Sequence, residues 1–265
     1  MELEKFSYFY EVYMESTYKY IINRNDVCSN SFLNNLFFRS WMVRALSCFE
    51  SSVNNNEFPC LFGKKVIKLK KFFLFFSSIS RPMDDLVAAF IEYTNFVKEV
   101  PVRERIYSPF VVFLEKNTFS TLKDEHQYGW SILQMLHDRD KSSWPLDVPK
   151  DTENEKWSFC FNGLPLFVNI SCPQHKLMKS RNLGDYVVLV INPRENFDEV
   201  ASLSSKGGRS VRETIRNRIK MYNDGVVPST LGVYGEKGNY EWRQYQLEEP
   251  GGLELKECPL HIRKS

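Results

Sequence analysis

The chain lacks the short signatures that mark common chemistries. It contains no GxxxxGK[ST] phosphate loop, no GxGxxG, no HExxH and no GxSxG, so phosphate-loop nucleotidases, dinucleotide folds, zincins and serine hydrolases are not indicated. Cys28, Cys48, Cys60, Cys160, Cys172 and Cys258 form no CxxC pair, which argues against a zinc ribbon or thioredoxin-type centre. No apolar run approaches the roughly 18 residues needed to cross a bilayer; a run such as Phe72 to Phe76 is far too short. The opening Met1-Glu2-Leu3-Glu4-Lys5 is acidic and leads into mixed polar sequence rather than a secretory apolar core. A cytoplasmic protein with free thiols and no membrane partner is therefore expected. Charge of one sign is also missing. Lys and Arg total 35 against 33 Asp and Glu, a net +2, too weak a field to imply nucleic acid.

What is present is enough for a large core. The 265 residues are 43% hydrophobic, which excludes wholesale disorder and makes structural metals or disulfides unnecessary for stability. Aromatics reach 15%, fitting either a thick core or a slot for a flat ligand. No internal repeat or low-complexity linker is visible, and the polar loop at 146–156 is the only plausible boundary. The expected fold is α/β (α+β mixed), a single domain over 1–265 with a central sheet covered by helices and the helices of 1–54 packed on it.

Residues 3–23 read as an aromatic helix. Residues 31–50 read as a stronger one, capped by Ser31, with Leu33, Leu36, Phe37, Trp41, Val43, Ala45 and Leu46 on its apolar face. Residues 64–76 mix lysines with β-favouring residues and are taken as a strand, although helix and strand are hard to separate there. Further helices are expected from Pro82 to Val97, over 123–139, and from Arg209 to Tyr222, the last stopped by Asp224-Gly225. Strands are expected at Phe110–Leu114, Trp157–Phe161, Leu166–Ile170 and Tyr186–Ile191, with a late one at Tyr240–Leu247.

The chemistry-bearing residues are sparse. His126 and His137 lie eleven positions apart on one helix, too far for a local metal pair, and read as surface or core-edge residues. His261 is four residues from the end. His175 stands out, because Ser171-Cys172-Pro173-Gln174-His175 and Ser180-Arg181-Asn182-Leu183-Gly184 lie in a loop between two strands, where rigid supports hold functional groups; a solvated loop histidine is the competing reading. Cys60, in Phe58-Pro59-Cys60, is either a small buried hydrophobe or a thiolate. Arg209, Arg212 and Arg216 share a helix face, either an anion-binding surface or simply a solvated one. The Lys64–Lys71 run is either a protected strand edge or a docking surface for an acidic partner.

In this order, Phe58-Pro59-Cys60-Leu61-Phe62-Gly63, the His175 loop, Ile191-Asn192-Pro193-Arg194-Glu195-Asn196-Phe197, the helix to Tyr222, Trp242-Arg243-Gln244-Tyr245 and Cys258-Pro259-Leu260-His261 resemble the YqcI/YcgG family from about residue 55 onward. That resemblance implies haem-dependent N-oxygenation of guanidino nitrogen in arginine or arginine-derived compounds, using O2 and an external electron donor. It implies haem b held by His175, with Cys60 as the rival axial ligand. Arg181, Arg194 and Arg216 are the implied propionate partners. Phe58, Phe62, Phe159, Phe161 and Trp130 are offered as walls of the slot. Glu195, Asp198 and Glu199 could meet a guanidinium, or complement a helix dipole instead. The alternatives are a non-catalytic haem-binding or sensing protein and an anion-binding interaction domain without haem.

Overall fold

The computed structural model describes residues 18–25, 40–81, 83–115, 118–202, 205–252 and 254–263. Their frame is a six-stranded mixed sheet of order β1-β2-β3-β6-β5-β4. The strands are β1 (Ile22–Asn23), β2 (Phe73–Ser77), β3 (Phe110–Leu114), β4 (Phe159–Phe161), β5 (Leu164–Ser171) and β6 (Val187–Pro193). Strand β2 runs parallel to β3, and the remaining neighbours are antiparallel. The β4–β5 hairpin turns on Asn162-Gly163, with φ of 51° and 73°, the left-handed pair that a two-residue type I′ turn requires.

Both faces of the central strands are apolar, as the continuous runs at 110–114 and 186–191 predict. Alternation assigns Phe73, Phe75, Phe110, Val112, Leu189 and Ile191 to one core. Phe72, Leu74, Phe76, Val111, Phe113 and Val188 belong to the other. The first core is covered by α3 (Met83–Glu99) and α5 (Leu122–Arg139), the second by α1 (Ser40–Asn54) and α2 (Leu61–Leu69). Helix α4 (Val102–Arg105) leads into β3, while α6 (Glu195–Val200) and α7 (Lys206–Tyr222) follow β6. Among the described residues there are thus seven α-helices and one open sheet, a single α+β unit.

The helix expected at 82–97 buries Leu86, Phe90, Tyr93 and Val97 as its periodicity requires. Helix α5 opens on a capping box of Thr121 and Asp124, satisfying backbone donors that would otherwise be unpaired. Helix α7 ends where expected, with Asp224 and Gly225 both at positive φ. Its apolar residues Val211, Ile215, Ile219 and Tyr222 are only half-buried, so this helix lies on the rim of the molecule.

Three expectations are corrected. Residues 18–23 are not helical; they enter β1, while 3–17 lie outside the described residues, as do Ser31 and the first part of the 31–50 helix. Residues 64–76 split into α2 and β2, because Cys60 caps a helix whose Val66 points inward while Lys65 and Lys68 point to solvent. The lysine run is therefore a solvated helix flank rather than a strand edge. Tyr240–Leu247 is not a strand; Glu241–Gln244 forms a 3-10 turn. Trp242 and Tyr245 are both buried, and their spacing of three suits a 3-10 turn better than an alternating strand.

Candidate functional site

The loop between β5 and β6 is fixed by its own backbone and by one carboxylate. Cys172 N–H donates to Arg181 O at 2.8 Å, and Asn182 Nδ2 donates to Pro173 O at 2.9 Å and to His175 O at 3.2 Å. Glu249 reaches across and accepts from the backbone N–H groups of Lys176, Leu177 and Met178 at 2.9, 2.9 and 3.1 Å. Its Oε1 also lies 3.0 Å from His175 Nδ1. Those donors hold the Glu249 carboxyl below its usual range against the opposing effect of burial.

This contact sets the state of His175. An ionised carboxylate only accepts, so Nδ1 carries the proton and Nε2 is left with a lone pair. Burial pushes the His175 pKa down to about 4, against the pull of Glu249, so the ring is neutral at pH 7. Its side chain is 0% exposed, and Nε2 is buried with no hydrogen-bond partner.

A second imidazole repeats the arrangement. His126, on the buried face of α5, has Nδ1 at 3.5 Å from Glu248 Oε1, and its Nε2 is likewise buried and unpartnered. The two rings lie 5.5 Å apart at 54°. Glu125 packs beside them, buried, with its pKa raised by that burial, and accepts from Gln174 N–H at 3.0 Å. Two adjacent dry ring nitrogens without partners cost about 1–3 kcal/mol each. An electrophile or a hydrogen-bonding ligand would relieve that cost.

Arg181 is buried against the same loop, and its guanidinium donates to Gln244 O at 2.7 Å and Tyr245 O at 3.2 Å. Burial pushes its pKa down to about 10, while nearby Cys172 and Cys60 act the other way. Arg194 stacks on Tyr234 at 4.0 Å and pairs with buried Glu241 at 3.0 Å. Both cations already have protein acceptors. Arg216 is exposed and spends one N–H on Leu231 O. Glu195 pairs with Arg105, and Glu199 with Arg103 at 2.9 Å. Asp198 Oδ1 lies 3.8 Å from Arg194.

Cys60 is engaged in capping α2, its Sγ accepting from Gly63 N–H at 3.3 Å, and burial raises its pKa. It therefore stays a thiol at pH 7. The other described cysteines, Cys48, Cys160, Cys172 and Cys258, are free. Phe58 stacks edge-on with Tyr222 in the core under α1, and Phe62 is half-buried on α2. Phe159, Phe161 and Trp130 belong to the core on the opposite face. The sheet separates the two aromatic sets, so together they do not wall one slot.

A cavity of about 240 Å³ borders the paired glutamates, lined in part by Met178, Arg243, Gln246, Glu248, Glu249 and Glu254. A larger open groove of about 770 Å³ beside His137, Trp144 and Leu146 contains none of the residues that the resemblance assigns to haem binding. The sequence reading missed His126, Glu248 and Glu249. His126 had a signal: with Trp130 and Leu133 it falls on the apolar stripe of its helix. The glutamates had none, because only folding brings residues 248 and 249 to residues 126 and 175.

The two buried histidine–glutamate pairs thus lie together at one end of a mixed sheet, beside a small cavity whose lining carries charges of both signs. The YqcI/YcgG family profile matches residues 49–261, and the chain belongs to that family. Over 227 residues it is 36% identical to a Streptomyces lavendulae protein named "Putative N(omega)-hydroxy-L-arginine synthase DcsA", covering 84% of this chain and 85% of that one. Bacillus subtilis YqcI is 27% identical (85% and 89% covered), and B. subtilis YcgG is 26% identical (91% and 97% covered). No solved structure matches significantly. None of the described helices is long and apolar enough to cross a membrane.

Proposed function

We propose that this protein N-hydroxylates a small guanidino or amino-acid substrate at an iron centre, the iron being carried in haem b. The observation that carries the reading is His175: a buried, neutral imidazole whose Nδ1 is oriented by Glu249 and whose Nε2 has no protein partner. A carboxylate behind the ring is the usual support for a metal-bound histidine, fixing its orientation and raising its basicity. Among the described residues no three His, Cys, Asp or Glu side chains are grouped to cage a bare ion. A metal that brings its own macrocyclic nitrogens needs only one imidazole from the protein, which this site can supply. The name of the Streptomyces relative supports the guanidino substrate.

In this reading haem iron supplies O2 activation, with electrons from an external donor. The chain's own contribution is orientation and dryness. Glu249, pinned by three backbone N–H groups, holds the Nδ1 proton and keeps Nε2 available as a neutral donor. Cys60 ranks below His175 because its thiol is kept protonated. Arg216 is the more exposed propionate candidate, since Arg181 donates to two backbone carbonyls and Arg194 is ion-paired with Glu241.

The test is a haemin titration of the purified chain followed by absorption spectra in the ferric, ferrous and carbonyl forms, repeated for His175→Ala and Cys60→Ala. A Soret band that saturates at one equivalent and changes only in His175→Ala is expected, together with O2 consumption on adding a guanidino compound and reductant. An unsaturable, broad spectrum removes the iron reading. Saturation without turnover on any guanidino compound leaves a haem-binding protein.

A further inference from the structure

Helix α2 presents to solvent a face that neither the core nor the histidine site uses. No Asp or Glu occurs between Glu57 and Asp84, and Lys64, Lys65, Lys68, Lys70 and Lys71 all fall in that interval. Among the described residues none of these lysines is ion-paired. Lys64 Nζ donates to Asn56 O and Lys65 Nζ to Tyr107 Oη, each at 3.0 Å, neutral acceptors that leave both charges uncompensated. Leu61, Lys65 and Leu69 recur every fourth residue on the outward side of the helix, with Lys68 beside them. Leu61 and Leu69 are 38% and 37% exposed, so two large apolar side chains frame the cations. Past Leu69 the surface dips into an open groove of about 470 Å³ lined in part by Leu69, Lys71, Arg103 and Tyr107, where Glu104 is the lone carboxylate.

Apolar contacts framed by cations without internal partners suit a surface that meets a molecule of opposite charge. Lysine favours short-lived contact, because its ammonium is a strongly hydrated point charge without the planar fork that clamps a phosphate or carboxylate at two points. The face is also small. Nine residues of helix span about 14 Å, the scale of transient electron-transfer interfaces, which bury less than about 1,200 Å² in total. Its place in the fold fits as well. Cys60, which caps α2, lies within electrostatic reach of Arg181, and Arg181 O accepts from Cys172 N–H to close the His175 loop. We infer that the outward face of α2 docks an acidic one-electron carrier protein of the flavodoxin or two-iron ferredoxin type. The redox role rests on the reading above; the docking does not. Placing one atom of O2 in an N–H bond and releasing the other as water takes two electrons and two protons, so the reduced carrier docks, is oxidised and leaves twice per turnover.

The experiment is stopped-flow reduction of the haemin-loaded full chain by reduced flavodoxin and, separately, by reduced two-iron ferredoxin. It runs from about 10 mM to about 1 M salt, over which the screening length shrinks from roughly 30 to 3 Å. Calorimetric binding of the oxidised carriers, with and without haemin, accompanies it. Lys68→Glu/Lys71→Glu is compared with Lys123→Glu/Lys141→Glu, an equal change of net charge at exposed positions on and just after α5, across the sheet from α2. Native far-ultraviolet dichroism is checked for both. With at least one carrier, the second-order rate is expected to fall at least about tenfold with salt, and the α2 variant to lose at least about tenfold at low salt. That variant should rejoin the unmodified chain at high salt, while the α5 variant stays within about twofold throughout. Equal losses in the two variants would mean that net charge alone acts, and would overturn the docking face. So would a rate indifferent to salt, failure of both carriers to bind or reduce, or a patch effect seen only in binding to phosphatidylglycerol vesicles. The two readings fail separately. Carriers that need the α2 lysines to bind but find no haem to reduce sink the iron alone, and haem reduced without regard to α2 sinks the docking face alone.

Discussion

At the scale of residues, the protonation of His175 is a stability statement. Its folded pKa is lowered from 6.5 to about 4 by burial, so between those values the unfolded chain binds more protons than the folded one. Stability is then fully present above pH 6.5 and is lost as pH falls toward 4, by roughly 3 kcal/mol for this group. Glu249, with its lowered pKa, gives the same sign at lower pH. Urea unfolding measured from pH 7.5 to 4.5 should show this decline, and His175→Gln should flatten it; an unchanged slope in that variant would mean the ring is not buried neutral. Removing the support is also informative. Glu249→Gln should weaken haemin binding by about 10- to 100-fold, the usual cost of a lost second-layer carboxylate, measured by the same titration as for the ligand variants.

At the scale of elements, helix α5 brings His126 to the loop because it can approach the sheet closely. A Cβ at Gly129 would lie 2.7 Å from Ile170 Cγ2. Alanine has the better helix propensity by about 1 kcal/mol, yet Ile170 is fully buried and cannot withdraw. Gly129→Ala should therefore destabilise the fold by about 1–3 kcal/mol net of that gain. A rise in thermal midpoint would show that the helix and sheet have slack. The cap is the second anchor. Thr121→Ala removes the hydroxyl that accepts from Asp124 N–H at 3.2 Å, while the backbone N–H of residue 121 keeps its bond to Asp124; it should cost about 1 kcal/mol, readable in urea unfolding, with His126 no longer held as firmly at its depth.

At the scale of the whole molecule, the chain after α7 is irregular, and a backbone bond together with side-chain contacts, rather than a paired strand, dock it on the sheet. Tyr245 O accepts from Ile170 N–H at 2.8 Å, and its hydroxyl donates to Leu166 O at 2.9 Å. Glu241, fully enclosed and pushed up to about 7 by burial despite Arg194, accepts from Ser158 at 2.6 Å. This knot positions the segment that carries Glu248 and Glu249. Arg194→Met should cost about 3 kcal/mol by leaving Glu241 without its cation, and Arg194→Met/Glu241→Gln should recover part of the loss. No recovery in the double variant would mean that Arg194 acts through its stacking on Tyr234 instead.

The long periodic segments were legible from sequence because their apolar residues repeat at the helical period or run unbroken through a strand buried on both sides. The His175 loop was legible as well, since a histidine between two strands is held by local connectivity. The local conformations of 64–76 and 240–247 were decided by tertiary contacts: lysines solvated on one flank of a capped helix, and two aromatics three residues apart sharing one core. The same holds for the site. A buried ring acquires its low pKa from its enclosure and its tautomer from a carboxylate 74 residues away, and neither composition nor spacing encodes which glutamate that is.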